Sequence, residues 1–141
     1  MPDEYTTPDL EEVARRVREA MHRGDLDAAV AMYAPDVVWD VSLLGLQGVF
    51  EGREAIRGVL EDLRRPYEEL EIVPEEFRDL GSGVTLNVYL ARGRPRGSTG
   101  FVESRQASVA TWANGLMERI TTYPDIDQAR AAAERLAQER G

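Results

Sequence analysis

The chain has 141 residues, 43% of them hydrophobic, which is one domain's worth of sequence (1–141) with enough apolar side chains for a core of its own. Its 17 basic and 26 acidic residues leave a net charge of −9, a balance that repels phosphate backbones and anionic lipid surfaces, so neither nucleic acid nor membrane is expected as a partner. Cysteine and lysine are absent and His22 is the single histidine, which excludes disulfides, thiolate and Schiff-base chemistry, and the usual nitrogen- or sulfur-rich metal sites.

Any chemistry therefore falls to Asp, Glu, Tyr, Arg or Ser/Thr, and no metal and no required cofactor are expected. The start "MPDEYTTPDLEE" is acidic and lacks the positive, then apolar, pattern of a secretory signal. No later run approaches membrane-spanning length. A cytoplasmic location is the expectation.

From Pro8, the positions Leu10, Val13, Ala14, Val17 and Met21 recur at helical spacing, with acidic residues in the first turn and Gly24 as the stop. "GDLDAAVAMYAPD" then predicts a short second helix with Leu26, Ala29, Val30 and Tyr33 on one stripe, Asp25 as cap and Pro35 as stop. "DVVWDV" is β-branched and aromatic, so it predicts a strand with Val37, Trp39 and Val41 on one face and Val38 and Asp40 on the other.

"SLLGLQGVFEG" has no clear period and predicts a loop. Its Leu43, Leu44, Leu46, Val49 and Phe50 are costly to solvate, so they must line a pocket mouth or meet a partner subunit. "GREAIRGVLEDLRR" returns to helical spacing through Ile56, Val59, Leu60 and Leu63. Strand-like runs follow at 69–79, 84–92, 101–113 and 116–123, separated by "DLGSG", "GRPRGSTG" and "NG". The end, "DIDQARAAAERLAQER", is an alanine-rich amphipathic helix with Ile126, Ala129, Ala133 and Leu136 on its apolar side. Helices first and a meander after them predict an α+β fold in which a curved antiparallel sheet wraps a helical layer, with a further helix at the C-terminus.

"GDLDAAVAMYAPDVVW", "GREAIRGVLEDL" and "NGLMERITTYPD", in that order, resemble the SnoaL-like branch of the nuclear transport factor 2-like superfamily. The resemblance implies a cystatin-like cone with a hydrophobic pocket and frequent homodimerisation through the sheet. It covers cyclases, isomerases, epoxide hydrolases and proteins without known activity, so the fold alone does not assign a reaction.

Laid on the ketosteroid isomerase pattern, this chain has Val17 in place of a tyrosine, Val41 in place of the base, and Ala107 or Val109 in place of a protonated acid. On the limonene-type epoxide hydrolase pattern, Arg105 matches an arginine, but Ala107 and Thr122 stand where aspartates are needed. An arginine stays protonated and does not activate water alone. On the polyketide cyclase pattern, Glu118 matches a late-strand carboxylate and shares the parity of Ile120 and Thr122.

These readings give an expected pocket of Val17, Tyr33, Trp39, Val41, Phe50, Leu60, Arg105, Ala107, Val109, Ile120 and Thr122. The candidate catalytic residues are Glu118, Glu103, Arg105 and Asp40. Glu103 and Arg105 share a strand face and form either a cavity pair that orients a ligand or a surface ion pair. Asp40, opposite in parity to Trp39, faces solvent or a dimer surface unless a bulge turns it inward. His22 reads as an exposed last-turn residue, and Arg92, Arg94 and Arg96 as part of a solvated hairpin. The function expected is binding of a small apolar molecule by a homodimer; the alternative is a cofactor-independent acid–base enzyme using Glu118, or Glu103 with Arg105.

Overall fold

A computed structural model describes residues 9–45 and 48–141. The start "MPDEYTTP" and, in the apolar loop, Leu46 and Gln47 lie outside the described residues.

Asp9 caps α1 (Leu10–Arg23) by accepting the Glu12 N–H at 3.3 Å, and Gly24, at φ +80°, closes it by donating to carbonyls of Ala20 and Met21. Leu10, Val17 and Ala20 are its buried stripe. In α2 (Leu26–Val30), Asp25 caps through the Ala28 N–H at 3.1 Å. The helix stops three residues short of Tyr33, which was expected on its stripe and instead opens strand β1 (Tyr33–Asp40). A single 3₁₀ turn (Ser42–Leu44) and a short strand β2 (Val49–Glu51) occupy the apolar segment expected as loop. Helix α3 (Arg53–Arg64) buries Ile56 and Leu60.

The meander is β3 (Tyr67–Gly81), β4 (Val84–Pro95), β5 (Val102–Ala113) and β6 (Leu116–Tyr123). Its tight turns carry the residues they need: Ser82 and Asn114 adopt φ +57° and +56°, followed by Gly83 and Gly115. The sheet order is β2-β1-β6-β5-β4-β3. Neighbours are antiparallel except β1 and β6, which run parallel with Trp39 beside Ile120. The sheet expected to be antiparallel is therefore mixed. The cause is the connection: α3 carries the chain from the β2 edge to the β3 edge, and three reversals return β6 alongside β1 in the same direction. Pro74 sits on edge strand β3 next to a register shift, where a missing N–H is tolerated and the bulge adds curvature.

Two apolar clusters lie on opposite faces of this sheet. On the inner face, Leu10, Val17, Leu26, Ile56 and Leu60 from the first three helices pack with Tyr33, Val37, Trp112 and Ile120 from the strands. On the outer face, α4 (Ile126–Arg140), capped by Asp125 on the Gln128 N–H at 3.0 Å, lays Ala129 and Ala133 against Val84, Leu86, Val88, Ala107 and Val109. Both alanines are fully buried. The sheet is thus apolar on both sides, and the helical layer leaves the inner side incompletely filled.

Candidate functional site

Strand alternation sends Thr85, Asn87, Tyr89 and Ala91 of β4 inward, and Ser104, Gln106, Ser108, Ala110 and Trp112 of β5 with them. Together with α1, α3, β1, β3 and β6 they enclose a cavity of about 510 Å³, the size range of a drug-like ligand site. Val17, Tyr33, Trp39, Val41, Phe50, Leu60, Ile120 and Thr122 all stand on its wall.

Arg105, Ala107 and Val109, expected in the pocket, do not. Ala107 and Val109 are buried on the outer face beneath α4, and Arg105 projects to an exposed carboxylate, bonding Glu75 through Nε at 2.6 Å and Nη2 at 2.9 Å. The parity of β5 is thus the reverse of the expected one. Polar Ser104, Gln106 and Ser108 face the cavity, while the more apolar set packs on α4.

Glu118 is also displaced. The register of β5 and β6 shifts between Thr111 and Trp112, so that Met117 and Ile120, three residues apart, both reach the cavity. The bulge turns Glu118 away from it, toward Arg140 at 3.8 Å. Asp40 is spent on its own turn: its Oδ1 accepts the Ser42 hydroxyl at 2.6 Å and the Ser42 N–H at 3.0 Å. These bonds, with a weaker contribution from Arg119 at 3.7 Å, hold its carboxyl below the usual range.

Glu103 lies on the cavity lining, at an exposed position, and accepts from Arg92 Nε at 3.1 Å. Arg92 also bonds Glu71 at 3.2 Å and lies 3.7 Å over the Phe101 ring. Glu103 and Arg105 do not form the cavity pair; each instead makes a surface ion pair across strands, with Arg92 and Glu75.

Sequence reasoning missed a hydrogen-bonded strip that crosses the cavity wall. The Trp39 indole N–H donates to Thr122 Oγ1 at 3.0 Å, and Thr122 and Ser108 share a bond of 3.1 Å. Tyr89 lies 3.4 Å from Ser108 Oγ and donates to Gln106 Oε1 at 3.1 Å. Nearby, Trp112 Nε1 donates to Thr85 Oγ1 at 2.9 Å. Burial pushes the Tyr33 hydroxyl up to about 12, with Tyr89 adding to the shift, and burial likewise raises Tyr89 against its bonds to Ser108 and Thr122. Both phenols therefore stay protonated at neutral pH, and that of Tyr89 donates to Gln106. Asn87 adds an amide whose Oδ1 is buried without a hydrogen-bond partner.

The signal for the strip was present in the polar residues at alternate positions 104, 106 and 108. Without a partner for the alanine stripe of α4, that face read as solvated. Among the described residues, no group of three or more His, Asp or Glu is placed to hold a metal ion, and no helix is long and apolar enough to cross a membrane.

Solved structures share this architecture. An NTF2-like protein of unknown function from Burkholderia pseudomallei is 21% identical, with a TM-score of 0.72 over 90% of this chain and 98% of that one. A ketosteroid isomerase-like fold from Catenulispora acidiphila, solved with trimethylamine, is 14% identical, with a TM-score of 0.71 over 91% and 94% of the two chains. TerC, co-crystallised with polyporic acid, is 16% identical, with a TM-score of 0.72 over 89% and 98%. At these identities the likeness is one of fold. No curated protein matches the sequence. The SnoaL-like domain family model matches residues 14–120, from the first helix through the last strand, and the chain therefore belongs to the SnoaL-like family of the NTF2-like superfamily.

Proposed function

We propose that residues 1–141 act as one SnoaL-like binding domain that holds a small, largely apolar molecule in its cone and applies no carboxylate chemistry to it. The observation that carries this reading is the cavity wall. Its roughly 510 Å³ are enclosed mainly by apolar side chains, and the one carboxylate it has among the described residues, Glu103, is at an exposed position and engaged by Arg92. A general base needs a desolvated carboxylate or imidazole within reach of substrate, and the described wall offers hydroxyls, amides and indoles in that place. That TerC was crystallised with polyporic acid supports a small-molecule ligand for the same fold.

The test is native mass spectrometry with thermal shift against a panel of lipophilic metabolites. A ligand at a hundred times its Kd adds about 2.7 kcal/mol of stability, and a bound mass with a matching rise in Tm is the expected result. The reading fails if no compound of the panel binds while the folded protein is intact.

The strip from Trp39 to Tyr89 favours a second reading, a cofactor-independent enzyme in which a ligand carbonyl displaces Gln106 as acceptor of the Tyr89 hydroxyl and is polarised by it. Turnover of a bound ligand that is lost in Tyr89→Phe supports it; an unchanged ligand mass after prolonged incubation rules it out. Glu118 and Arg105, engaged by Arg140 and Glu75, lend it no help.

We further propose a cytoplasmic homodimer. Because α4 lies on the outer sheet face, the contact would use apolar side chains outside its footprint, such as exposed Val73, Phe101 and Val102. Light scattering at micromolar concentration distinguishes the dimer from a monomer.

A further inference from the structure

Charge is distributed unevenly over the cavity. The chain carries 17 arginines against 26 acidic residues, and most of the arginines meet a carboxylate within 4 Å. Arg18 of α1 and Arg64 of α3, the two arginines on the cavity wall, meet none among the described residues. The wall thus carries two uncompensated guanidinium groups inside a protein of net charge −9.

Apolar wall residues flank both, and Arg64 is held in place. Arg18 is half-buried on the helix turn before Met21, and Arg64 Nη1 donates to the Met21 carbonyl at 2.6 Å. That bond is a second one to a carbonyl that already accepts from the Gly24 N–H at the C-terminal end of α1, and it leaves the other N–H groups of Arg64 available. A second, polar groove of about 440 Å³ adjoins the cone here, sharing Arg64, Tyr67 and Leu70 with it; its further charged lining is Arg57, Arg65 and Arg96 with Glu61 and Glu68, two carboxylates already paired with Arg57 and Arg94. The apolar chamber therefore ends at a cationic threshold. A guanidinium beside low-dielectric walls attracts an anion more strongly than one in water, and its planar fork matches a carboxylate.

We infer that the ligand of the cone is an amphipathic anion: an apolar body occupying the chamber and a carboxylate held by Arg18 and Arg64 where the chamber meets the groove. This inference rests on the binding reading given above and specifies the chemical class of its ligand.

Two matched pairs of probes test it by titration against the full chain: dodecanoate with 1-dodecanol, and 1-pyrenebutyrate with 1-pyrenebutanol. In at least one pair the acid is expected to bind roughly ten- to hundred-fold more tightly than the alcohol, the range for hydrogen bonds to a charged group. Arg18→Gln, which removes no hydrogen bond among the described residues, is expected to remove most of that preference with no change in Tm. Arg64→Gln is a second variant, read alongside its melting curve because the Met21 contact is lost with it. Equal binding of acid and alcohol overturns the inference while the binding reading stands. A preference for the acid that survives both substitutions overturns it as well. Failure of all four probes to bind the folded wild-type chain counts against both.

Discussion

Thr122 is the joint of the polar strip, and Thr122→Val tests whether the strip exists as described. The side chain is 1% exposed and its Oγ1 receives the Trp39 indole N–H at 3.0 Å and shares a bond with Ser108 at 3.1 Å. Valine keeps the shape and removes both bonds. The stranded indole N–H costs about 1 kcal/mol, the low end of the range for an unsatisfied donor, because Trp39 is only half-buried. The Ser108 hydroxyl still has Tyr89 at 3.4 Å, so its loss adds only about 0.5 kcal/mol. The expected total is about 1.5 kcal/mol, or a Tm lower by roughly 5 °C for a chain of this length. Urea unfolding followed by far-ultraviolet circular dichroism measures it, without relying on the tryptophan signal. Trp39→Phe and the double variant complete a cycle whose coupling energy is expected near 1 kcal/mol. A Thr122→Val cost below about 0.5 kcal/mol, or strictly additive single effects, would refute the bond between β1 and β6 and with it the strip.

Three further outcomes follow from other contacts. The Asp40 carboxyl lies below its unfolded value because it accepts two bonds from Ser42, so its contribution is fully present above the ordinary aspartate pKa and is lost as pH falls through the lower folded value. Ser42→Ala is therefore expected to flatten the acid limb of the stability–pH curve below about pH 4, read by denaturation at a series of pH values. Ala133→Leu forces a larger side chain into the fully buried contact of α4 with the sheet and should cost about 1–3 kcal/mol in chemical denaturation while ligand binding in the cone is unchanged. Gly83→Ala combines φ +73° with a Cβ placed 2.7 Å from the Trp112 carbonyl oxygen; a loss above about 1 kcal/mol is expected in the same assay.

Ordinary half-buried sheets show one apolar and one polar face, and strand alternation then tells inside from outside. This sheet does not obey that economy. In β5 the outward set Ala107, Val109 and Thr111 is more apolar than the inward set Ser104, Gln106 and Ser108, since α4 seals one face and the cavity needs polar groups on the other. Periodicity grouped the residues of β5 that share a face, and the family pattern laid on them put Arg105, Ala107 and Val109 on the wrong side. Glu118 failed for a different reason: a bulge is a single extra residue in the pairing, and nothing local in "NGLMERITTY" marks it.

Local chemistry was enough to settle much else. Asp25 as a cap, Gly24 as a helix stop, and Asn114–Gly115 as a tight turn were legible because each depends on its own φ and on hydrogen bonds to near neighbours. Spacing within β1 set Trp39 and Val41 on one face and Asp40 on the other, and the family resemblance implied that Val17 and Val41 stand on the wall. Tertiary structure alone decided the parallel pairing of β1 with β6, the seat of α4, and the placing of both Arg18 and Arg64 on the cavity wall. Each of those joins segments far apart in the chain, where the choice between alternatives rests on how whole faces pack together and on which charges find a partner.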